Sequence, residues 1–145
     1  MTSEKSVQAE FRIASWDEKP YAEFDDKRKL TQAITTQNYT GDLIGEGRSN
    51  MVMCYGDSAD VPVYYTGLEH FDGTVDGRAG TFVMQANGVF ADGVAASTWF
   101  VVPGSGTGEL AGLSGQGGYT AGHEDYPNVP YTLEYEFEQQ ASMSA

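Results

Sequence analysis

The sequence predicts an all-β domain folded as a single eight-stranded antiparallel up-and-down barrel. Three observations carry that prediction. Glycine supplies 18 of the 145 residues with no collagen-like period, beside 9 Tyr, 7 Phe and 2 Trp; aromatics suit strands and glycines suit tight turns. Helical periodicity is scarce anywhere along the chain. Short segments punctuated by Gly, Pro and Asp-Gly take its place, as expected of strands joined by hairpins. Eight such strands close most economically into a barrel, because closure removes the exposed edges.

The elements follow in order. A first strand is expected over Ala9 to Trp16. The charged stretch Ala22 to Leu30 (AEFDDKRKL) is the best helical candidate, although it suits a loop or the start of a strand equally well. Strands then run over Leu30 to Tyr39, Asp42 to Tyr55 and Val61 to Phe71. Arg78 to Phe90, Val94 to Val102, Thr107 to Gly117 and Pro130 to Glu138 complete the set.

Two turns fix the register of the middle strands. Asp76-Gly77 suits a two-residue type I′ turn, in which both central residues take positive φ. It sets Phe71 opposite Phe82, Glu69 opposite Met84 and Tyr65 opposite Gly88. Asp92-Gly93 suits the same turn and sets Phe90 opposite Ala95, Ala86 opposite Trp99 and Met84 opposite Val101. With side chains alternating by two, one face collects Tyr65, Gly67, Glu69, Phe71, Phe82, Met84, Ala86, Gly88, Phe90, Trp99 and Val101. That face is the more apolar and is assigned to the interior. In the last strand Tyr131, Leu133, Tyr135 and Phe137 alternate with Thr132, Glu134, Glu136 and Glu138, a one-sided burial signal.

Composition bounds the rest. The length fits one domain spanning 1–145, since domains usually run to ~100–200 residues, with frayed tails expected at Met1 to Ser6 and Gln139 to Ala145. Eight Lys and Arg stand against 21 Asp and Glu, a net charge of −13; so acidic a surface repels phosphate backbones and anionic lipid, so neither nucleic acid nor a membrane is an expected partner. The lone cysteine, Cys54, leaves no intrachain disulfide and reads as a buried, inert thiol. The polar start Met1 to Gln8 lacks the apolar core of a signal peptide, and no apolar run approaches the ~20 residues of a spanning helix. A soluble cytoplasmic protein is the expectation.

Thr40-Gly41-Asp42-Leu43-Ile44-Gly45 resembles Thr107-Gly108-Glu109-Leu110-Ala111-Gly112. The similarity marks either two halves of a pseudo-symmetric barrel or one local geometry used twice. If the two segments correspond, Leu43 and Leu110 point inward while Asp42 and Glu109 face solvent or the rim. An eight-stranded barrel either fills with side chains or holds one small ligand. Gly45, Gly47, Gly67, Gly88 and Gly112 fall on the inner face beside large aromatics, which favours a cavity over a filled lumen. The competing reading is that these glycines only relieve crowding where strands bend.

Glu69 is the candidate catalytic residue, the one carboxylate on a wall of Phe, Met, Tyr and Trp. Burial raises a carboxyl pKa by disfavouring the charged form, which tunes a general acid or base towards neutrality. Polar companions expected on that face are Tyr65, Ser97, Trp99, Tyr135, Gln32 and Ser49. The structural alternative is a carboxylate held by tyrosine hydroxyls or an arginine. Tyr65, Phe71, Phe82, Met84, Ser97, Trp99 and Tyr135 are the expected substrate-binding residues. His70 points away from Glu69, and His123-Glu124-Asp125 lacks a partner at ligand spacing, so no metal site is assigned. The run Pro103 to Gly108 lacks the lysine of a phosphate loop and reads as a β connection, and Arg78 as a rim charge paired with Asp76 or Asp72. Leu68, Val83, Val89, Phe100 and Val102 alternate onto the outer face, more apolar surface than a lone barrel shows water. A second subunit, in a homo-oligomer, is expected to cover it; a loop or the segment around Tyr21 to Phe24 is the alternative.

Three stretches resemble one bacterial family: Thr66-Gly67-Leu68-Glu69, Gly73 to Phe82, and Val101 to Leu113 with its Gly-Ser-Gly-Thr-Gly-Glu-Leu run. That family is known only as domain of unknown function three-two-two-four, and the resemblance extends from about Phe11 to Phe137. It implies an allene-oxide-cyclase-like barrel, the architecture of plant allene oxide cyclases and dirigent proteins. Such relatives steer cyclisation or coupling of reactive, mostly apolar intermediates without an organic cofactor and commonly form oligomers. No plant cyclase catalytic motif lies on this sequence, and His70 departs from the arginine common at its position in the family. The expected function is a cofactor-free cyclase or isomerase acting on a small, largely apolar molecule. A binding barrel without chemistry and a filled structural barrel are the alternatives.

Overall fold

The computed structural model describes residues 5–137. Eight antiparallel strands, each bonded to its neighbour in sequence, close into a barrel when β8 pairs with β1. The strands are β1 (Lys5–Glu23), β2 (Lys29–Gly41), β3 (Leu43–Tyr55), β4 (Val63–Val75), β5 (Arg78–Ala91), β6 (Val94–Val101), β7 (Leu113–Ala121) and β8 (Val129–Phe137). Two one-turn 3-10 helices interrupt the connections, at Gly108–Leu110 and His123–Asp125. Among the described residues no helix is long and apolar enough to cross a membrane.

The two Asp-Gly hairpins have the predicted register. Phe71 faces Phe82, Glu69 faces Met84 and Tyr65 faces Gly88 across β4 and β5. Ala86 faces Trp99 and Met84 faces Val101 across β5 and β6. Asp76 and Asp92 take positive φ, 49° and 53°, with Gly77 and Gly93 following them; a short polar side chain and a glycine tolerate that conformation, and it matches the strand twist. Tyr131, Leu133 and Tyr135 of β8 are buried while Thr132 and Glu134 are exposed.

Several expectations are corrected. Ala22 to Leu30 is no helix: it finishes β1, turns through residues 25–27 and begins β2. Lys27 takes φ 74° there, stopping helical propagation. Lys5 and Ser6 are not frayed, since they pair with Tyr135 and Glu134 of β8; Met1 to Glu4, the predicted tail Gln139 to Ala145 and Glu138 lie outside the described residues. β7 begins at Leu113, not Thr107, because Gly104, Gly108 and Gly112 all take positive φ and fold the preceding segment into turns. That segment is lashed to β5: the Thr107 amide donates to the Thr81 carbonyl at 2.9 Å, and the two hydroxyls lie 2.6 Å apart. Cys54 is exposed, because it sits at an outward position of β3.

The two copies of the six-residue motif take different backbones: Gly41 ends β2 and Leu43 opens β3, whereas Gly108–Leu110 is a 3-10 helix. Leu43 and Leu110 are fully buried. The Asp42 carboxylate accepts the Gln8 amide and the Glu109 carboxylate accepts the Ala79 amide, both at 3.0 Å. Each copy pins a neighbouring segment and drives a leucine into the Asp76 end of the barrel. Phe71, Val75, Phe82 and Leu113 pack with them, all at most 2% exposed, so this end is plugged.

Candidate functional site

Above that plug the lumen holds a cavity of about 790 Å³. It opens at the Asp92 end, where Trp16, Val61, Phe90 and Tyr126 ring the mouth and are all exposed. The walls are mainly apolar: Phe11, Ile13, Met51, Met53, Val63, Ala86, Ala95 and Trp99 contribute. Polar side chains gather on one side, on β2, β3 and β4, as Thr35, Gln37, Tyr39, Ser49 and Glu69. Alternation on these three strands turns odd-numbered residues inward, so the polar set is a stripe crossing them.

Glu69 faces the cavity and is 8% exposed. The Tyr39 hydroxyl donates to its Oε2. Tyr39 itself is wedged edge-on between Phe71 and Tyr131, with ring centroids 5.3 Å away in each case, which fixes where its hydroxyl points. Room for the carboxylate comes from Gly47: a Cβ there would collide with Oε2 of Glu69 and lie 2.8 Å from the Tyr39 ring. Burial pushes the Glu69 carboxyl up to about 7, against the opposing pull of the Tyr39 hydrogen bond. Desolvation and the adjacent carboxylate hold Tyr39 protonated, well above the ordinary phenol range.

Beside Glu69 runs a chain of neutral groups. Ser49 is its cross-strand neighbour on β3, and Thr35 is that of Ser49 on β2. The Thr35 and Ser49 hydroxyls are 2.5 Å apart, and the Gln37 Nε2 donates to Thr35 Oγ1. On the far side the Tyr65 and Tyr119 hydroxyls meet at 3.2 Å, tying β4 to β7. The Tyr65 ring fills the space over Gly88. The inner glycines therefore do not open the cavity as expected: Gly47 receives Glu69, and Gly88 receives Tyr65.

Of the residues predicted to bind substrate, Tyr65, Ser97 and Trp99 line the cavity with Glu69. Phe71, Phe82 and Met84 do not, because they sit deeper and are packed to 0–1% exposure beneath it. Tyr135 is buried at the plugged end, where its hydroxyl donates to Asp76 at 2.5 Å. Gln32 points outward and bonds Asn50 at 3.0 Å. Arg78 lies over the Phe137 ring, 4.3 Å from its centroid, rather than against Asp76 or Asp72. His70 is exposed on the outer face and His123 in the loop before β8.

Thr35, Gln37, Tyr39 and Tyr119 were missed. The turn at Gly41 supplied the missing signal for β2: with Gly45, Gly47 and Ser49 inward, a tight connection makes odd residues of β2 inward too, as the pairing of Tyr39 with Gly45 shows. A second acid was missed as well. The β1 ladder slips between Ile13 and Ser15, so inward positions change from odd to even. Glu18 then pairs with Ala33 and accepts from Trp16 Nε1 at 3.0 Å, Thr31 Oγ1 at 2.6 Å and Tyr55 at 2.5 Å. Burial opposes ionisation there, but the three donors prevail and hold Glu18 below its usual range. Glu18 is a fixed anion near the rim, whereas Glu69 titrates in the lumen.

No curated protein matches the chain. A solved structure, described as a protein with unknown function from the DUF3224 family of Shewanella oneidensis MR-1, is similar in fold and sequence. It aligns with a TM-score of 0.77 and 25% identity over 94% of this chain and 99% of that one. The model of the family described as "Protein of unknown function (DUF3224)" matches residues 7–135, and the chain accordingly belongs to that family.

Proposed function

We propose that the protein is an isomerase or cyclase that takes a small, largely apolar substrate into the barrel and moves a proton with Glu69. One observation carries this reading: a carboxyl poised at about 7 faces an apolar cavity that opens at one end only. A group with that pKa is present in both protonation states near neutrality, so it can accept a proton and return it at another atom. The aromatic walls exclude water and hold one conformer of the substrate. Tyr39 keeps the carboxyl oriented and supports its ionised form. The allene-oxide-cyclase-like likeness supports this chemistry by analogy alone.

The test needs no knowledge of the natural substrate. 5-Nitrobenzisoxazole opens when a base removes its one reactive C–H proton; the electron pair forms the nitrile and the N–O bond breaks to a coloured phenolate. Wild-type protein is expected to accelerate this reaction with a rate that rises with pH through about 7. Glu69→Gln is expected to cut the rate tenfold or more, since acid–base catalysis contributes about 10²–10⁴-fold. Equal rates in the two proteins remove Glu69 from the mechanism.

The second reading, a binding barrel without chemistry, is favoured by a lumen whose surface is mostly apolar and in which Glu69 is the one charged residue that is buried among the described residues. It predicts that N-phenyl-1-naphthylamine brightens on binding to both proteins while no Glu69-dependent rate appears.

We also propose that a second copy of the chain covers the outer face of β4, β5 and β6. Leu68 and Phe100 are 51% and 41% exposed there. Outward positions 64–68, 83–89 and 96–100 carry no Asp, Glu, Lys or Arg in a chain of net charge −13. Two such chains repel least across that face. Sedimentation is expected to show an oligomer that Leu68→Lys with Phe100→Lys reduces to monomer; a monomeric wild type rejects the proposal.

A further inference from the structure

Two hydrogen-bonding groups in the cavity lining have no partner among the described residues, the Gln37 side-chain carbonyl and the Trp99 indole N–H. Gln37 lines the lumen at 8% exposure. Its Nε2 is committed to Thr35, while its Oε1 has no hydrogen-bond partner among the described residues. Buried polar groups are normally satisfied, and leaving one bare costs more than the bond itself returns. A ligand that supplies a donor here relieves that deficit, and one that fills the same space with carbon does not.

The position of this acceptor is as informative as its existence. Gln37 pairs with Gly47, the residue over which the Glu69 carboxylate lies. Gln37 of β2 and Glu69 of β4 therefore flank the side-chain-free patch at Gly47 of β3 from its two sides. Facing Gln37 across the lumen are Trp99 and Tyr119, with Phe11 of the neighbouring β1 against Tyr119; these rings meet edge-on or tilted at 5.2–5.7 Å. The Trp99 indole N–H is likewise without a partner among the described residues. No Lys or Arg lines the cavity, and the chain as a whole is strongly acidic, so an anionic ligand is disfavoured.

We infer that the lumen takes a neutral, ring-bearing hydroxy compound, a phenol or cyclic alcohol, whose O–H donates to Gln37 Oε1 while its ring stacks among the aromatics opposite Glu69. This rests on the reading of the lumen as a ligand site and adds the class of ligand. Gln37 is a specificity residue here: it selects the hydroxyl and leaves proton transfer to Glu69.

The experiment compares 2-naphthol with 2-methoxynaphthalene, the same ring system with the donor blocked, each displacing N-phenyl-1-naphthylamine from the whole protein. Wild type is expected to bind 2-naphthol about tenfold more tightly, the equivalent of one buried hydrogen bond. In Gln37→Met, similar in length but without the acceptor, that preference is expected to fall to about one while 2-methoxynaphthalene binds as before. The ring opening of 5-nitrobenzisoxazole, compared between wild type and Glu69→Gln, reads the proposed chemistry without touching Gln37, so failure here is distinguishable from failure of that chemistry. Equal affinities in wild type overturn the inference whatever the variant does. A preference that survives Gln37→Met overturns it too, by assigning the hydroxyl to another group.

Discussion

The two ends of this barrel are built from the same strands and behave as different materials. At the Asp76 end the inward positions hold Leu43, Phe71, Val75, Phe82 and Leu113, and the connection from β6 to β7 adds Leu110 across the opening. Every one is at most 2% exposed. At the Asp92 end Thr35, Gln37, Ser49, Ala86, Ala95 and Ser97 take inward positions among larger wall residues such as Met51 and Trp99. The former are small or polar, and Tyr65 and Tyr119 engage each other rather than filling the centre. The closed end supplies stability and the open end spends little of its volume on packing. Glu69 marks the boundary, with Met84 beside it and the cavity above.

The largest test of that contrast truncates one residue on each side of the boundary. Phe71→Ala in the plugged end is expected to destabilise the fold by about 3–5 kcal/mol, because a full side chain is lost from a site with no room to collapse. Met51→Ala, on the cavity wall and only half-buried, is expected to cost about 1 kcal/mol or less, since its side chain already borders open space. Urea denaturation measures both. Equal losses would erase the distinction between a packed floor and an open lumen.

How much of this was legible depends on how each strand announces its register. The middle strands were readable because Asp76-Gly77 and Asp92-Gly93 each fix a two-residue turn, and parity then follows without further information. That is why Glu69 was placed inward from sequence. β2 was harder: in Thr31 to Thr40 the most apolar residue, Ile34, faces out at 38% exposure while Thr35 and Gln37 face in. Burial of a polar stripe inverts the usual hydrophobic pattern, so Gln32 was chosen where Gln37 belongs. β1 hid Glu18 behind a ladder slip that no residue between Ile13 and Ser15 signals. The inner glycines are not what opens the cavity. Gly47 and Gly88 make room for protein side chains, and the open volume comes instead from small residues such as Ala86, Ala95 and Ser97. Depth along the barrel was not legible at all from alternation, which says which way a side chain points and not whether it meets a floor or a void. Phe71, Phe82 and Met84 were assigned to the ligand on that account.

A smaller effect sharpens the boundary by asking what Glu69 costs the fold. Its carboxyl is raised from 4.5 to about 7 in the folded protein because burial disfavours the charge. Between those values the unfolded chain has released this proton and the folded chain still holds it. Stability must therefore fall as pH rises through that window, being fully present below about 4.5 and lost once the folded pKa near 7 is passed. A shift of that size corresponds to about 3 kcal/mol. Other carboxylates titrate over part of the same range, so the comparison that isolates Glu69 is with Glu69→Gln, which keeps an acceptor for the Tyr39 hydroxyl and has no charge to bury. Relative to wild type, the variant is expected to gain about 3 kcal/mol in urea stability between pH 4.5 and pH 8. A difference that stays constant across that range would mean the carboxyl ionises as freely as in water, and the lumen around it would then be no drier than the mouth.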